Sequence, residues 1–257
     1  MMKRVLAFCL LGAIAAAGYV MLNRQDATLS LVGAKAFAMA QRPSMYMVTL
    51  TVENTGAPDV ILSASTPDAD MITVVNPRHS DSVLVVPGES QGILAMDGAH
   101  VMLRMDDFAE GSFIPLTLTF ENAGEVVTRL QNAGVTTMSH DPSTGVATEP
   151  APSVSLQATD APNADGFSLR IEVENFTFYR PKDEFAEDPA YVAGQGHGHL
   201  YLNGLKLGRL YEPGFDIGQL PAGDHVLEVA LNTNDHRPYL AADGRPVVAR
   251  LEIQVAE

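Results

Sequence analysis

Met47-Val48-Thr49-Leu50-Thr51-Val52, followed at once by Glu53-Asn54-Thr55-Gly56, decides the fold class of this chain. Apolar and polar side chains alternate through the first six residues, the two-residue period of a strand with one buried face, and the next four supply turn chemistry. Outward from there the pattern recurs at 83–86, 92–96, 101–105 and 114–120, the even spacing of a sandwich or barrel. No stretch carries a convincing helical period, so the expected class is all-β.

Toward the N-terminus, Lys3 and Arg4 precede an uncharged apolar run at 5–22 that ends at Asn23 and Arg24. Residues 1–25 therefore read as a signal peptide or a retained N-terminal membrane anchor, and either reading exports the rest. The expected location is periplasmic, soluble or tethered to the inner membrane, with no other membrane contact. Cys9, the single cysteine, falls inside this run, so the exported portion has neither disulfide nor thiolate. Any soft-metal site must use Met and His. A formal net charge of −15 argues against nucleic-acid binding, since no basic patch neutralises phosphates.

Two domains are expected from 257 residues of which 46% are hydrophobic. The first spans 28–135. Between 138 and 153 the composition turns to Ser, Thr, Pro, Gly and acidic residues, which marks a linker polar enough to let the domains move independently. Their candidate sites are then not expected to share an interface. The second domain, 154–257, again shows strand patterns, at 167–178, 197–211, 224–232 and 247–255, and has the size of a small immunoglobulin-like sandwich. Asn203-Gly204 is its clearest hairpin turn.

The first cluster of potential ligands is Asp97-Gly98-Ala99-His100-Val101-Met102-Leu103-Arg104-Met105, where His100 and Met102 leave one face of a strand. An imidazole beside a thioether suits Cu(I), although Met is also ordinary core filler. Gly98-Ala99-His100-Val101-Met102-Leu103, the charged turn at 106–111 and Ile114-Pro115-Leu116-Thr117-Leu118-Thr119-Phe120-Glu121-Asn122-Ala123-Gly124 together resemble the periplasmic copper chaperones of the PCuAC family. Met45-Tyr46-Met47, Glu53-Asn54-Thr55-Gly56 and Ser65-Thr66-Pro67 extend the likeness over about 28–129. The resemblance implies a cupredoxin-like β-barrel that binds one copper through two His and two Met and passes it to another copper protein. His100 and Met102 match half of that motif. Where the family has a His followed by Met, this chain has Val74-Val75-Asn76-Pro77; His79, with Met71 or Met96, is the nearest substitute.

The second cluster is Gly194-Gln195-Gly196-His197-Gly198-His199-Leu200-Tyr201-Leu202, with two histidines on one strand face and glycines that permit close approach. Asn232-Thr233-Asn234-Asp235-His236 adds a third. His197, His199 and His236 would bind Cu(II) or Zn, with Asp235 orienting a ring. The alternative is a hydrogen-bonded turn beside a polar strand edge. This segment resembles small exported bacterial β-domains with a Gly-His-x-His-Leu-Tyr strand and an Asn-Asp-His loop, some of which occur beside copper-related domains. The acidic run from Lys182 to Asp188 reads as a solvated loop.

These readings converge on an exported copper-binding protein, not an enzyme, that delivers copper to an acceptor in the periplasm or inner membrane. A metal-dependent enzyme using the second cluster is the alternative, as is an interaction protein with a degenerate site. The sequence has no serine nucleophile elbow, His-Glu-x-x-His helix or phosphate loop.

Overall fold

The computed structural model describes residues 28–67, 69–80, 82–135, 145–163, 165–182 and 191–256. The apolar segment at 1–25, the acidic residues at 183–188 and the first half of the expected linker lie outside them. Every regular element among the described residues is a strand. In chain order these are β1 (Leu29–Met39), β2 (Arg42–Asn54), β3 (Asp59–Ser65), β4 (Met71–Val75), β5 (Leu84–Val86), β6 (Ser90–Leu94), β7 (His100–Arg104), β8 (Phe113–Phe120) and β9 (Gly124–Val135). There follow β10 (Val146–Ala147), β11 (Ser153–Ala158), β12 (Phe167–Glu174), β13 (Thr177–Phe178), β14 (Gln195–Leu202) and β15 (Leu205–Leu210). The last are β16 (Gly214–Ile217), β17 (Gly223–Asn232), β18 (Tyr239–Leu240) and β19 (Val248–Val255).

Alternation becomes burial directly: along β2, Tyr46, Val48, Leu50 and Val52 are buried while the residues between them are only partly covered. Those four join Val101, Leu103, Leu116, Leu118 and Leu130 in the core of an N-terminal lobe. A second core gathers Leu169, Ile171, Leu200, Leu202, Leu227, Val229, Leu231 and Tyr239. β14 and β17 are covered on both faces over most of their length, because one face packs on this core and the other is covered by the polar contacts of the site.

The lobes are not joined by a hinge alone. One 14-stranded sheet follows the path β19-β17-β14-β15-β6-β2-β1-β9-β8-β3-β5, with β7 and β4 branching from β2 and β13 from β14. It crosses between lobes where Lys206 of β15 pairs with Ile93 of β6. The cores interpenetrate as well: Leu205 belongs to the first and Val85 to the second. Each is fully buried, a contribution of about 1.5–3 kcal/mol apiece. The Asn203-Gly204 hairpin, with φ of 51° and 89°, carries the crossing, since Asn76 Nδ2 donates to Asn203 O at 2.8 Å and Ala99 N to Gly204 O at 2.9 Å.

Independent motion of two separate domains is therefore corrected to a shared sheet. Part of the expected linker also takes structure, as Val146 and Ala147 pair in parallel with Tyr239 and Leu240. The segment read as one strand at 167–178 is two, interrupted at Asn175 with φ 54°.

Candidate metal centre

β14 is the middle strand of β15-β14-β17, and its alternation sends Leu200 and Leu202 into the second core and His197, His199 and Tyr201 to the opposite face. Gly196 and Gly198 make the site possible. A Cβ on Gly196 would lie 1.9 Å from Asn232 O, so only glycine lets β14 approach the end of β17 this closely. His197 pairs across the ladder with Asn232, where the loop bearing His236 departs.

That loop is closed on itself. Thr233 N donates to Arg237 O at 2.9 Å, His236 N to Thr233 O at 3.0 Å, and Arg237 N to Thr233 Oγ1 at 3.0 Å. His236 adopts φ 64°, a left-handed conformation that a non-glycine residue holds only where its surroundings enforce it. The side chain of Asp235 takes hydrogen bonds from Thr233 Oγ1 and, at 2.8 Å, from Arg237 Nε. Asp235 thus braces the turn and does not orient an imidazole, which corrects that expectation.

The three histidines converge, with one ring nitrogen from each lying within 4.8 Å of those of the other two. They are the only group of three or more His, Cys, Asp or Glu side chains so arranged among the described residues. His197 and His199 are buried, with 1% and 2% of their surface exposed, and their Nε2 atoms stand 2.9 Å apart. Two nitrogens on a tetrahedral metal at about 2.0–2.1 Å sit about 3.3 Å apart, so little adjustment separates this geometry from a ligated one. His197 Nδ1, the other nitrogen of that ring, is buried and has no hydrogen-bond partner among the described residues.

His199 is oriented from the other lobe. Its Nδ1 lies 2.6 Å from Asp97 Oδ2, and the same oxygen accepts from Tyr201 OH at 2.7 Å and Lys206 Nζ at 2.9 Å. A carboxylate on Nδ1 fixes the proton there and leaves Nε2 as a lone pair, the arrangement that raises ligand basicity in metal-binding histidines. Asp97 lies on the β6–β7 turn, inside the segment first read for His100 and Met102, but its role was not visible there because its partners belong to β14 and β15.

Burial holds His199 at about 3, with Lys206 adding to the effect and Asp97 opposing it; burial likewise depresses His197 strongly. Both rings are neutral at physiological pH, as ligands must be. Both folded values lie below the ordinary 6.5, so the unfolded chain binds more protons and the metal-free fold loses stability as pH falls from about 6.5 toward 3. Stability should be flat above about pH 7 and its denaturation midpoint should drop by pH 5. An unchanged midpoint over that interval would show that the rings are not held neutral.

A second network lies alongside. Glu228 of β17, 1% exposed, pairs with Arg78 Nη1 and, at 2.8 Å, with Arg250 Nε. Arg78 also donates from Nε to Asp97 O at 2.8 Å and stacks 3.8 Å from the Tyr201 ring centroid. His79 belongs here: its Nε2 is 3.9 Å from Glu228 Oε2, and it is not part of the imidazole group. A cavity of about 660 Å³ lined by Arg78, Tyr201, Glu228 and Arg250 reaches His199 and His236, and another of about 370 Å³, lined by Phe37, Ile93 and Met96, reaches the same two histidines. Both cavities also touch Asp97.

His100 and Met102 sit on β7, as expected, with Met71 one row beyond on β4, opposite Arg104.

Residues 29–132 match the sequence profile of a family described as "Putative lipoprotein LpqE-like". These residues form an LpqE-like domain. Asp97 lies within the LpqE-like domain and the three histidines outside it. Among solved structures, the chain is similar to the apo PCuAC domain from PmoF1 at 22% identity, over 42% of this chain and 94% of that one, with a TM-score of 0.37. It is similar to the copper-bound PCuAC domain from PmoF2 at 19% identity, over 42% and 93%, with a TM-score of 0.37. The fibronectin(III)-like modules of Clostridium thermocellum CbhA align over 89% of this chain and 95% of theirs, at 9% identity and a TM-score of 0.26. No curated protein matches the chain.

Proposed function

We propose that this protein is an exported copper-binding protein that holds the ion at His197, His199 and His236 and delivers it to an acceptor copper protein. The convergence of three imidazoles, one braced by Asp97 from the LpqE-like domain, carries the reading. Three neutral nitrogen donors suit Cu(II), Cu(I) or Zn, and they leave a further coordination position. Both cavities reach His199 and His236, which would give an incoming ligand from an acceptor a route to the imidazoles. The lipoprotein description of the matched family, with the apolar run at 5–22, supports an exported or membrane-anchored protein. No helix among the described residues is long and apolar enough to cross a membrane.

The test is titration of the exported chain with Cu(II), followed by electron paramagnetic resonance for nitrogen ligands. One equivalent should bind, and His199→Ala combined with His236→Ala should weaken it by at least about a hundredfold, or about 2.7 kcal/mol. Copper binding unchanged in that variant would end the proposal. Two of the three histidines line a cavity of about 660 Å³, which equally favours a second reading, a metal-dependent enzyme in which a bound water would be activated. Transfer of copper to an acceptor, without turnover of any substrate, separates the two.

A further inference from the structure

We infer that the cavity of about 660 Å³ is a binding site for a small dicarboxylate, one end of which is held by the guanidinium groups of Arg78, Arg245 and Arg250. Only the role of the second carboxylate, as a ligand to a metal on the histidines, rests on the function proposed above. The ladder registers build the floor. Tyr201 of β14, Glu228 of β17 and Arg250 of β19 stand opposite one another in one row, and His199, Ala230 and Val248 form the next. Opposite residues in a ladder share a face, so all six side chains rise from the same side of the sheet. Ala230 offers only a methyl group at the middle of this patch. It leaves a depression ringed by His199, Glu228, Asn232 and Val248, each of which lines the cavity. Arg250 stands two strand spacings of about 4.8 Å from Tyr201 and one step of about 7 Å along the strands from the row of His199. Arginine and histidine side chains overhang that gap from either side, which leaves room for a short carbon chain between them.

Charge decides the ligand class. Glu228 is buried in the floor and accepts hydrogen bonds from Arg78 Nη1 and, at 2.8 Å, from Arg250 Nε. One carboxylate thus braces two guanidinium groups and leaves one positive charge unmatched. Asp97, the other acid on the wall, is paired with Lys206 at 2.9 Å. Arg245 adds its charge at the rim, where its partner Asp243 stands 3.8 Å away and both side chains are exposed. The wall is therefore cationic in a chain whose formal net charge is −15. Its arginines are also pre-oriented: Arg78 is fixed by Asp97 O and by stacking on Tyr201, and Arg250 is held by its inner nitrogen. A guanidinium edge matches the two oxygens of a carboxylate, and such charge-assisted pairs are the strong ones. The cavity volume falls within the range of about 300–1,000 Å³ that small-molecule sites occupy. His199 and His236 complete the same wall. A metal on three neutral imidazoles keeps its full positive charge, so a second carboxylate on the same ligand would neutralise it. Metal and dicarboxylate would then each tighten the other's binding by the same factor.

The experiment is isothermal titration calorimetry of the exported chain with succinate, first metal-free and then after one equivalent of Zn(II). Succinate should bind the metal-free protein, and Arg245→Gln/Arg250→Gln should weaken it at least about tenfold. Arg245→Gln alone leaves Glu228 with both its partners, so it should weaken binding with an unchanged melting curve. Zinc should tighten succinate at least about tenfold in the parent protein. Failure of succinate to bind either form, or binding at full strength in both arginine variants, overturns the inference. Arginine-dependent binding that bound zinc leaves unchanged overturns the contact of the second carboxylate with the metal. Zinc that fails to bind, with succinate still lost on replacing the arginines, leaves the anion site standing and removes the imidazole centre alone.

Discussion

Replacing Asp97 with Ala is expected to destabilise the protein by about 3–5 kcal/mol, because it strips the partner from a buried cation. Lys206 is 7% exposed and its ammonium lies 2.9 Å from Asp97 Oδ2. Burial already pulls its pKa below the ordinary lysine range, and Asp97 is the main influence opposing that. Without the carboxylate, Lys206 must either hold a charge with no counter-ion or give up its proton, and both cost stability. Tyr201, 1% exposed, loses its hydroxyl's acceptor at 2.7 Å by the same substitution. Urea denaturation of Asp97→Ala, Lys206→Met and the double variant would check this. The double variant should recover most of the loss, since no unpaired charge remains, while its metal affinity stays about 10–100-fold low because His199 Nδ1 has lost its carboxylate and keeps only the Tyr201 hydroxyl at 3.4 Å. If Asp97→Ala and the double variant were equally unstable, the charge argument would be wrong and the loss would lie in packing alone.

This result bears on what the sequence discloses. Val48, Leu50 and Val52 announce their strand because period-two alternation is a local property of any half-buried sheet. The Gly-His-Gly-His strand was equally legible, since both rings leave one face whatever lies opposite. Asp97 was not, because its partners His199, Tyr201 and Lys206 belong to the other lobe and no local pattern encodes a contact between distant turns. Asp235 stood next to His236 in sequence and was the natural guess for an orienting carboxylate. The turn's left-handed residue sends the ring one way while Asp235 closes on Thr233 and Arg237.

Register was the other hidden quantity. Glu228 reads as the polar side of its strand until Arg250 is known to lie opposite it, and the pairing of Lys206 with Ile93 that fuses the lobes has no signature at either end. The polar composition at 138–153 reads as a linker because it offers almost no large apolar side chains to bury. It did not exclude the short parallel ladder at Val146 and Ala147.

The geometry of the imidazole centre depends on one missing methyl group, which leads to the second large effect. Gly196→Ala should destabilise the fold by about 1–3 kcal/mol and weaken copper binding at the three histidines at least tenfold. The added Cβ would fall 1.9 Å from Asn232 O, 3.0 Å from Asn232 C and 3.1 Å from Thr233 Cα. These are backbone atoms, so no rotamer change relieves the clash, and either β14 or the start of the 232–237 loop must move. His197 lies immediately after Gly196 on the strand, and His236 rides on the loop, so any relief separates the ligands it would otherwise bring together. Gly208→Ala is the matched control: on the neighbouring strand β15, its Cβ would find its nearest neighbour, Gln91 Nε2, at 4.0 Å. Denaturation midpoints with and without copper distinguish the outcomes. If both alanine variants bound copper as the parent does, the close approach of β14 to Asn232 would not be what sets the ligand geometry.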